Sequence, residues 1–107
     1  MDKSILKGLK LNGFDNEHDS FDETPFLNNR TVDLIRPLLS ENLSKTKTIN
    51  KSHSSYGLKH IVEKKIGQYV TNGELIYAMF LEGFDIKRHN INCFFNIKSS
   101  EVKKMNL

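Results

Sequence analysis

SYGLKHIVEKKIGQYVTNGELIYAMFLEG, residues 55–83, is the stretch that decides the fold, because most of the helical periodicity of the chain lies within it. Apolar residues recur in its first half at i, i+3, i+4 and i+8, namely Leu58, Ile61, Val62 and Ile66. This spacing places them on one face of a helix. The hydroxyl of Ser55 can accept from a free backbone N–H in the first turn. Gly67 can adopt the left-handed conformation that ends a helix, so the pattern predicts a helix over residues 55–66.

The second half of the same stretch predicts a helix with a stronger start signal. Thr71 and Glu74 form a T-x-x-E capping box, in which each side chain accepts from a backbone N–H at the other residue. The apolar residues that follow cover most of the helix circumference, and they are Leu75, Ile76, Tyr77, Ala78, Met79, Phe80 and Leu81. Gly83 is a natural stop. We expect a helix over residues 72–82 at the centre of the core.

The apolar period changes from 3.6 to 2 residues after Gly83, which is typical of strands with one buried face. The alternating apolar positions are Phe84, Ile86, Ile91, Cys93, Phe95 and Ile97. His89 and Asn90 can form the turn between two strands, since Asn tolerates a positive φ. A short helix over residues 101–105 can follow. The sequence therefore predicts an α+β fold: a small, mostly helical domain whose central two-helix unit precedes a short β-hairpin.

The segment at the amino terminus, residues 1–23, is acidic and rich in turn-forming residues. Such a composition buries little apolar surface, so we expect a solvated loop or a mobile arm. An alternative is that its carboxylates imitate nucleic-acid charge or cover the protein's own basic face. Residues 24–107 are then expected to form a single globular domain.

Two segments connect this arm to the central stretch. Apolar residues between positions 32 and 43 have near-helical spacing, with Asn28 or Asn29 as a cap, but Pro37 interrupts them. Because proline removes a donor and crowds the preceding turn, we expect one kinked helix, or a turn followed by a helix from near Arg36. Residues 44–54 are polar and basic without periodicity, which predicts a linker or an exposed loop.

The composition indicates an ordinary soluble domain. A chain of 107 residues with 37% hydrophobic and 27% charged residues can build one core. Its single cysteine, Cys93, excludes an intramolecular disulfide and suggests a reducing compartment. No apolar run is long enough for a membrane helix, and no signal-peptide core is present. We therefore expect a cytoplasmic protein with no membrane partner.

Charge is distributed unevenly along the chain. Residues 1–44 carry five basic and eight acidic side chains, whereas residues 45–107 carry eleven basic and five acidic ones. A basic folded part invites an anionic partner. The candidate binding residues are Lys59, His60, Lys64, Lys65, Lys87 and Arg88 for electrostatic contact, with Tyr56 and Tyr69 for stacking. The alternative is an ordinary lysine-rich surface. The excess of 13 lysines over 3 arginines argues against dense bidentate contacts to bases.

Motifs for catalysis are missing from the sequence. It contains no Gly-rich phosphate loop, no nucleophile elbow and no zinc-type spacing of Cys and His. A metal site built from His53, His89 and Cys93 can be drawn, but it lacks the paired spacings that metal ligands show. Cys93 is better explained as a small core residue. We predict a non-enzymatic protein without catalytic residues, metal or cofactor.

A resemblance extends over residues 54–97. It is carried by YGLKH at residues 56–60, YVTNGE at residues 69–74 and the pair Gly83 and Phe84. These residues resemble a pattern in short proteins of unassigned function that phages and plasmids carry. In general profile the chain is also similar to phage-encoded inhibitors of bacterial defence such as anti-CRISPR proteins, a likeness that implies no site residues.

Two functions follow as hypotheses. The first is a binding protein of mobile-element origin that occupies a nucleic-acid or ribonucleoprotein surface and inhibits it, with nucleic acid or a host nucleoprotein as partner. The second is a helix-turn-helix or winged-helix regulator, because two helices and a hairpin follow one another in the order of that motif. The second helix, however, has almost no basic or amide groups with which to contact base edges.

Overall fold

The computed structural model describes residues 2–107 and confirms the α+β class. Its helices are α1 Arg30–Asn42, α2 Ser55–Ile66, α3 Asn72–Leu81 and α4 Ser99–Met105. Its strands are β1 Leu9–Lys10, β2 Gly13–Phe14, β3 Asn50–Ser54, β4 Ile86–His89 and β5 Asn92–Phe95. One antiparallel sheet pairs β1 with β2, and the other has the order β3-β5-β4. Short 3-10 turns at Lys3–Leu6 and Thr24–Phe26 complete the described elements.

Helix α3 is the centre of the core, as its composition predicts. Each residue from 72 to 80 is buried, and α3 packs against α1, α2 and β2. The capping box is confirmed: Oγ1 of Thr71 accepts from the Glu74 N–H at 3.0 Å, and Oε1 of Glu74 accepts from the Thr71 N–H at 2.9 Å. A capped, apolar helix can be surrounded by other elements because its backbone donors need no water.

Helix α2 has the predicted bounds but a different cap. Oγ of Ser54, not of Ser55, accepts from the Gly57 N–H at 3.2 Å. The Ser55 side chain instead turns into the core, where it accepts from the Cys93 N–H at 3.1 Å. That bond ties α2 to β5. Gly67 ends the helix with φ of 68°, as expected.

Helix α1 runs through Pro37 as one helix, so the alternative start near Arg36 is wrong. Oδ1 of Asn29 caps it by accepting from the Val32 N–H at 3.0 Å. Val32, Ile35 and Leu39 are buried, and α1 packs against α3. Burial of these side chains outweighs the hydrogen bond that Pro37 cannot make.

Strand β3 corrects the prediction of a linker or loop over residues 44–54. Asn50–Ser54 pairs antiparallel with β5, with an irregular register between its two ends. The strand lies at a sheet edge and its side chains are exposed or half-buried. The sequence of β3 therefore shows no apolar alternation. Its extended conformation depends on pairing with β5.

The predicted hairpin is present, with its turn displaced by one residue. Strands β4 and β5 pair from Ile86 opposite Phe95 to His89 opposite Asn92. His89 therefore belongs to β4, and the two-residue loop is Asn90 and Ile91, with Asn90 at φ of 56°. Ile91, expected on the buried face, is exposed because it lies in this loop.

The acidic segment packs against the rest of the domain and is not the separate arm that its composition predicts. Leu6, Leu9 and Phe14 are buried in the same core as α3. The hairpin formed by β1 and β2, called the N-terminal hairpin below, meets α3 directly, since the Gly73 N–H donates to the Leu11 carbonyl at 2.8 Å. A side chain at Gly73 would place a Cβ 2.0 Å from the Lys10 carbonyl oxygen, so glycine permits this approach.

Two carboxylates of this segment form ion pairs with its own lysines. Glu23 lies 3.0 Å from Lys3, and Asp19 lies 3.9 Å from Lys10. These pairs do not extend to the basic residues beyond position 44. Among residues 2–107, no helix is both long enough and apolar enough to cross a membrane.

Candidate binding cleft

A cleft of about 410 Å³ opens where α2, the loop before α3, the β4–β5 turn and the N-terminal hairpin meet. It is lined by Asn12, Tyr56, Lys59, Tyr69, Asn72, Ile91 and Asn92. This volume lies within the range of small-ligand sites. The lining combines aromatic rings with amide groups and one ammonium group. We refer to it as the tyrosine cleft.

Lys59 lies beneath the two tyrosine rings. Its Nζ is 5.5 Å from the ring centroid of Tyr56 and 4.7 Å from that of Tyr69. The residue is only 4% exposed, so water screens these cation–π contacts weakly. The expectation that Lys59 belongs to an exposed basic surface is therefore wrong. The sequence shows a lysine on a helix, but not that two aromatic residues from different segments cover it.

Glu63 binds the buried ammonium group and organises its surroundings. Its carboxylate accepts from Lys59 Nζ at 3.1 Å, from His60 Nδ1 at 2.9 Å and from the Val70 N–H at 3.0 Å. Burial acts to raise the pKa of Glu63, but the hydrogen bonds from Val70 and Lys59 and the Lys59 charge outweigh it and lower this pKa. The bond to Val70 also holds the chain next to Tyr69. Glu63 thus offsets the charge of Lys59 and positions one wall of the cleft.

Both tyrosines present their rings to solvent. Tyr56 is 52% exposed and Tyr69 is 66% exposed. The ring of His60 meets Tyr56 edge-on, with 4.5 Å between centroids. Tyr56, His60 and Lys64 are all exposed, and their i, i+4, i+8 spacing places them along one stripe of α2, about 12 Å long. The structure therefore brings Tyr56, Tyr69 and His60 together and places Lys64 at the end of the stripe.

The remaining predicted residues do not join the cleft. Lys65 Nζ lies 3.4 Å from the backbone oxygen of Leu107, near the carboxyl terminus. Lys87 is exposed on β4. The Arg88 guanidinium lies 4.1 Å from the Phe14 ring centroid and donates to the carbonyl oxygens of Lys7 and Asp15. Arg88 therefore fastens the N-terminal hairpin to β4 and lies outside the cleft.

Three asparagines line the cleft, and nothing in the sequence indicated that they belong to it. Nδ2 of Asn72 donates to the Ile91 carbonyl at 3.3 Å and to Asn92 Oδ1 at 2.9 Å. Oδ1 of Asn72 is buried and has no hydrogen-bond partner among residues 2–107. Asn12, in the turn of the N-terminal hairpin, also lines the cleft. No spacing in the sequence marks these residues, because they converge from three distant segments.

The predicted recognition helix of a DNA-binding motif has no free face. Because every residue from 72 to 80 of α3 is buried, its side chains cannot enter a groove of DNA. Its amino terminus is also occupied: the Gly73 N–H bonds to Leu11 and the Glu74 N–H bonds to Thr71. The elements follow one another in the order of the motif. Helix α3, however, lacks the exposed face with which a recognition helix contacts DNA.

The three residues of the hypothetical metal site have other contacts. His53 Nε2 lies 3.1 Å from Ser99 Oγ, and the His89 ring lies 5.1 Å from the Phe94 ring. Cys93 is buried, and burial raises the pKa of its thiol. Within residues 2–107, no three His, Cys, Asp or Glu side chains converge in a way that could hold a metal ion.

Comparison of the chain with protein-family models, with curated proteins and with solved structures gave no match.

Proposed function

We propose that this protein is a non-enzymatic binding protein whose tyrosine cleft receives an unpaired base of a nucleic acid, either free or within a ribonucleoprotein. The observation that carries the proposal is the pair of exposed tyrosine rings, Tyr56 and Tyr69, at the mouth of a cleft of about 410 Å³. Exposed aromatic rings stack on bases in many single-strand binding proteins, and each stacked base contributes about 1–3 kcal/mol.

The exposed side chains along α2 indicate where the nucleic-acid strand would run. His60 and Lys64 follow Tyr56 at successive turns of the helix and are exposed. A strand whose base enters the cleft can therefore place phosphates against these two side chains. The net positive charge of residues 45–107 adds a wider attraction for a polyanion.

A nucleoprotein would be inhibited when one of its bases occupies the tyrosine cleft. A nucleoprotein that acts through an exposed single strand loses access to that strand when the cleft holds one of its bases. A role as an inhibitor from a mobile element, similar in effect to anti-CRISPR proteins, rests on this binding. A helix-turn-helix regulator is not favoured, because α3 is buried along its length.

The proposal is tested with fluorescently labelled strands of RNA and DNA, each also annealed to its complement. Fluorescence anisotropy should show tighter binding of the single strands than of the duplexes. Tyr56→Ala and Tyr69→Ala should each weaken single-strand binding by about 5- to 150-fold, the equivalent of one stacked base.

Leu34→Ala is the matched control, because Leu34 is also a large exposed apolar side chain but lies on α1 and does not line the cleft. Lys64→Glu should weaken binding most at low salt, since an exposed phosphate contact is screened as ionic strength rises. Equal affinity of wild type and both tyrosine variants would contradict the proposal, as would a preference for duplex.

A further inference from the structure

The amide orientations in the cleft are determined by one carbonyl group. The Ile91 carbonyl oxygen can only accept, so the group of Asn72 that lies 3.3 Å from it must be the NH₂. The same NH₂ lies 2.9 Å from Asn92, which must therefore present Oδ1 to Asn72. The two amides are thus joined through Asn72 Nδ2 and Asn92 Oδ1.

The hydrogen bond between the two amides leaves one donor and one acceptor for a ligand. Oδ1 of Asn72 is buried and lacks a donor within residues 2–107. The Asn92 amide bonds to Asn72 through Oδ1, so its Nδ2 is the group that can donate to a ligand. A buried acceptor without a donor in the chain is left for a water or a ligand to satisfy. Since Oδ1 of Asn72 is buried, a ligand that brings a donor and an acceptor side by side satisfies both groups only when the side chains that cover this oxygen move.

Lys59 supplies a second donor without adding net charge. Its ammonium carries three protons, and Glu63 Oε2 accepts one of them at 3.1 Å. Because Glu63 offsets the positive charge, this donor suits a neutral carbonyl oxygen at least as well as an anion. Residues that line the cleft therefore carry two donors, Asn92 Nδ2 and Lys59 Nζ, and one acceptor without a donor, Asn72 Oδ1.

We propose that the cleft selects bases with a lactam edge, in which a carbonyl lies beside a ring N–H: uracil, thymine, guanine and hypoxanthine. Asn92 Nδ2 donates to the carbonyl, and Asn72 Oδ1 accepts from the ring N–H. Adenine and cytosine carry an amino group and an unprotonated nitrogen at the corresponding edge, so they face Asn92 with a donor and Asn72 with an acceptor. This selectivity deepens the proposed function and rests on it.

The test uses ten-residue strands in which only the central residue carries a base and all others are abasic. Hypoxanthine is compared with adenine, and uracil with cytosine, because each pair has the same ring system and therefore similar stacking. A strand without any base measures backbone attraction alone. By competition anisotropy, hypoxanthine and uracil should each bind about fivefold or more tightly than their amino counterparts, the effect of one hydrogen bond.

Asn92→Asp tests the assigned donor. A carboxylate still accepts from Asn72 Nδ2 but replaces the free NH₂ with an acceptor, so the preference should disappear or reverse towards adenine and cytosine. Asn90→Asp is the matched control: it adds the same charge in the adjacent turn, at a residue that does not line the cleft. It should weaken all strands alike and leave both ratios unchanged.

The outcomes separate the two proposals. If strands with a base bind more tightly than the abasic strand, but both ratios are near one, lactam selection is wrong and base binding stands. If no strand binds, or the abasic strand binds as tightly as the others, the proposed function fails and the selectivity fails with it. If the hypoxanthine-to-adenine and uracil-to-cytosine affinity ratios persist in a folded Asn92→Asp variant, Asn92 is not the selecting donor. The wild-type ratios decide the question of selectivity even if that variant does not fold.

Discussion

Glu63 is the residue that makes a buried lysine compatible with this fold. Lys59 lies almost wholly out of water, and an ammonium group in that position needs a partner of opposite charge. Glu63 provides that partner at 3.1 Å and also accepts from the Val70 N–H at 3.0 Å. One carboxylate thus stabilises the floor of the cleft and holds the loop before α3.

Changing Glu63 to Gln should destabilise the protein in a pH-dependent way. We expect a loss of about 1–3 kcal/mol near neutral pH, because glutamine keeps one acceptor but leaves Lys59 without its counter-charge. Since folding lowers the pKa of Glu63, its contribution is present above the ordinary value of 4.5 and is lost as pH falls through the lowered pKa. The difference between wild type and variant should therefore shrink in acid.

Urea unfolding across this pH range measures that difference. Glu41→Gln is the control, since Glu41 is an exposed carboxylate on α1 and its change should leave stability unaffected. A Glu63→Gln penalty that stays constant from neutral pH into acid would show that shape, not charge, is what Glu63 contributes.

At the level of elements, the amino termini of α1 and α3 are tied to each other. Glu74 accepts from the Thr71 N–H through Oε1 and from Asn29 Nδ2 through Oε2, the latter at 2.7 Å. Asn29 is itself the cap of α1. A capping box that stabilises one helix therefore also fixes the start of its neighbour.

This arrangement predicts an order of stability for two variants. Thr71→Ala should cost about 0.5–2 kcal/mol, the usual value of a cap. Glu74→Ala should cost more, because it removes the acceptor of the Thr71 N–H and leaves the Asn29 amide only its longer hydrogen bond, to the Pro25 carbonyl at 3.4 Å. Thr71→Ser keeps the hydroxyl and serves as the control, with all three compared by chemical denaturation.

Thr71→Ala also separates a structural role from a binding role. If the cap is structural, weaker binding of oligonucleotides should be explained entirely by the smaller folded fraction. An unchanged free energy of unfolding together with weaker binding would instead identify the amino terminus of α3 as a recognition site.

At the level of the whole molecule, the core extends across the full described chain. Leu6, Leu9 and Phe14 come from the segment that composition alone assigns to an arm, yet they are buried with α3. The Phe14 N–H bonds to the Ile91 carbonyl at 2.8 Å, so the N-terminal hairpin also supports the turn that borders the cleft. The acidic carboxylates lie at the surface of a segment whose apolar side chains are inside.

Two neighbouring residues test this integration. Leu6 is 0% exposed and Ile5 is 42% exposed. Leu6→Ala should destabilise the protein by about 2–5 kcal/mol through a core cavity, whereas Ile5→Ala should stay within about 0.5 kcal/mol of wild type. Thermal or urea unfolding measures both. A Leu6→Ala variant as stable as Ile5→Ala would mean that residues 1–23 are an arm after all.

The sequence by itself determined the features that depend on contacts within about four residues. The bounds of α2, the capping box of α3 and the left-handed Gly67 are local, because each bond closes between near neighbours in the chain. The burial of α3 could also be predicted, since apolar residues surround it. The alternation after Gly83 indicated a hairpin because a strand with one buried face must alternate.

Only the tertiary structure decided which residues form the cleft. β3 is a strand because β5 pairs with it, and Lys59 is buried because Tyr56 and Tyr69 cover it. Asn12, Asn72 and Asn92 line the same cleft although 20 to 80 residues of the chain separate them. Polar side chains of this kind have no periodicity that marks their partners, and their hydrogen bonds exist only after packing has brought distant segments together.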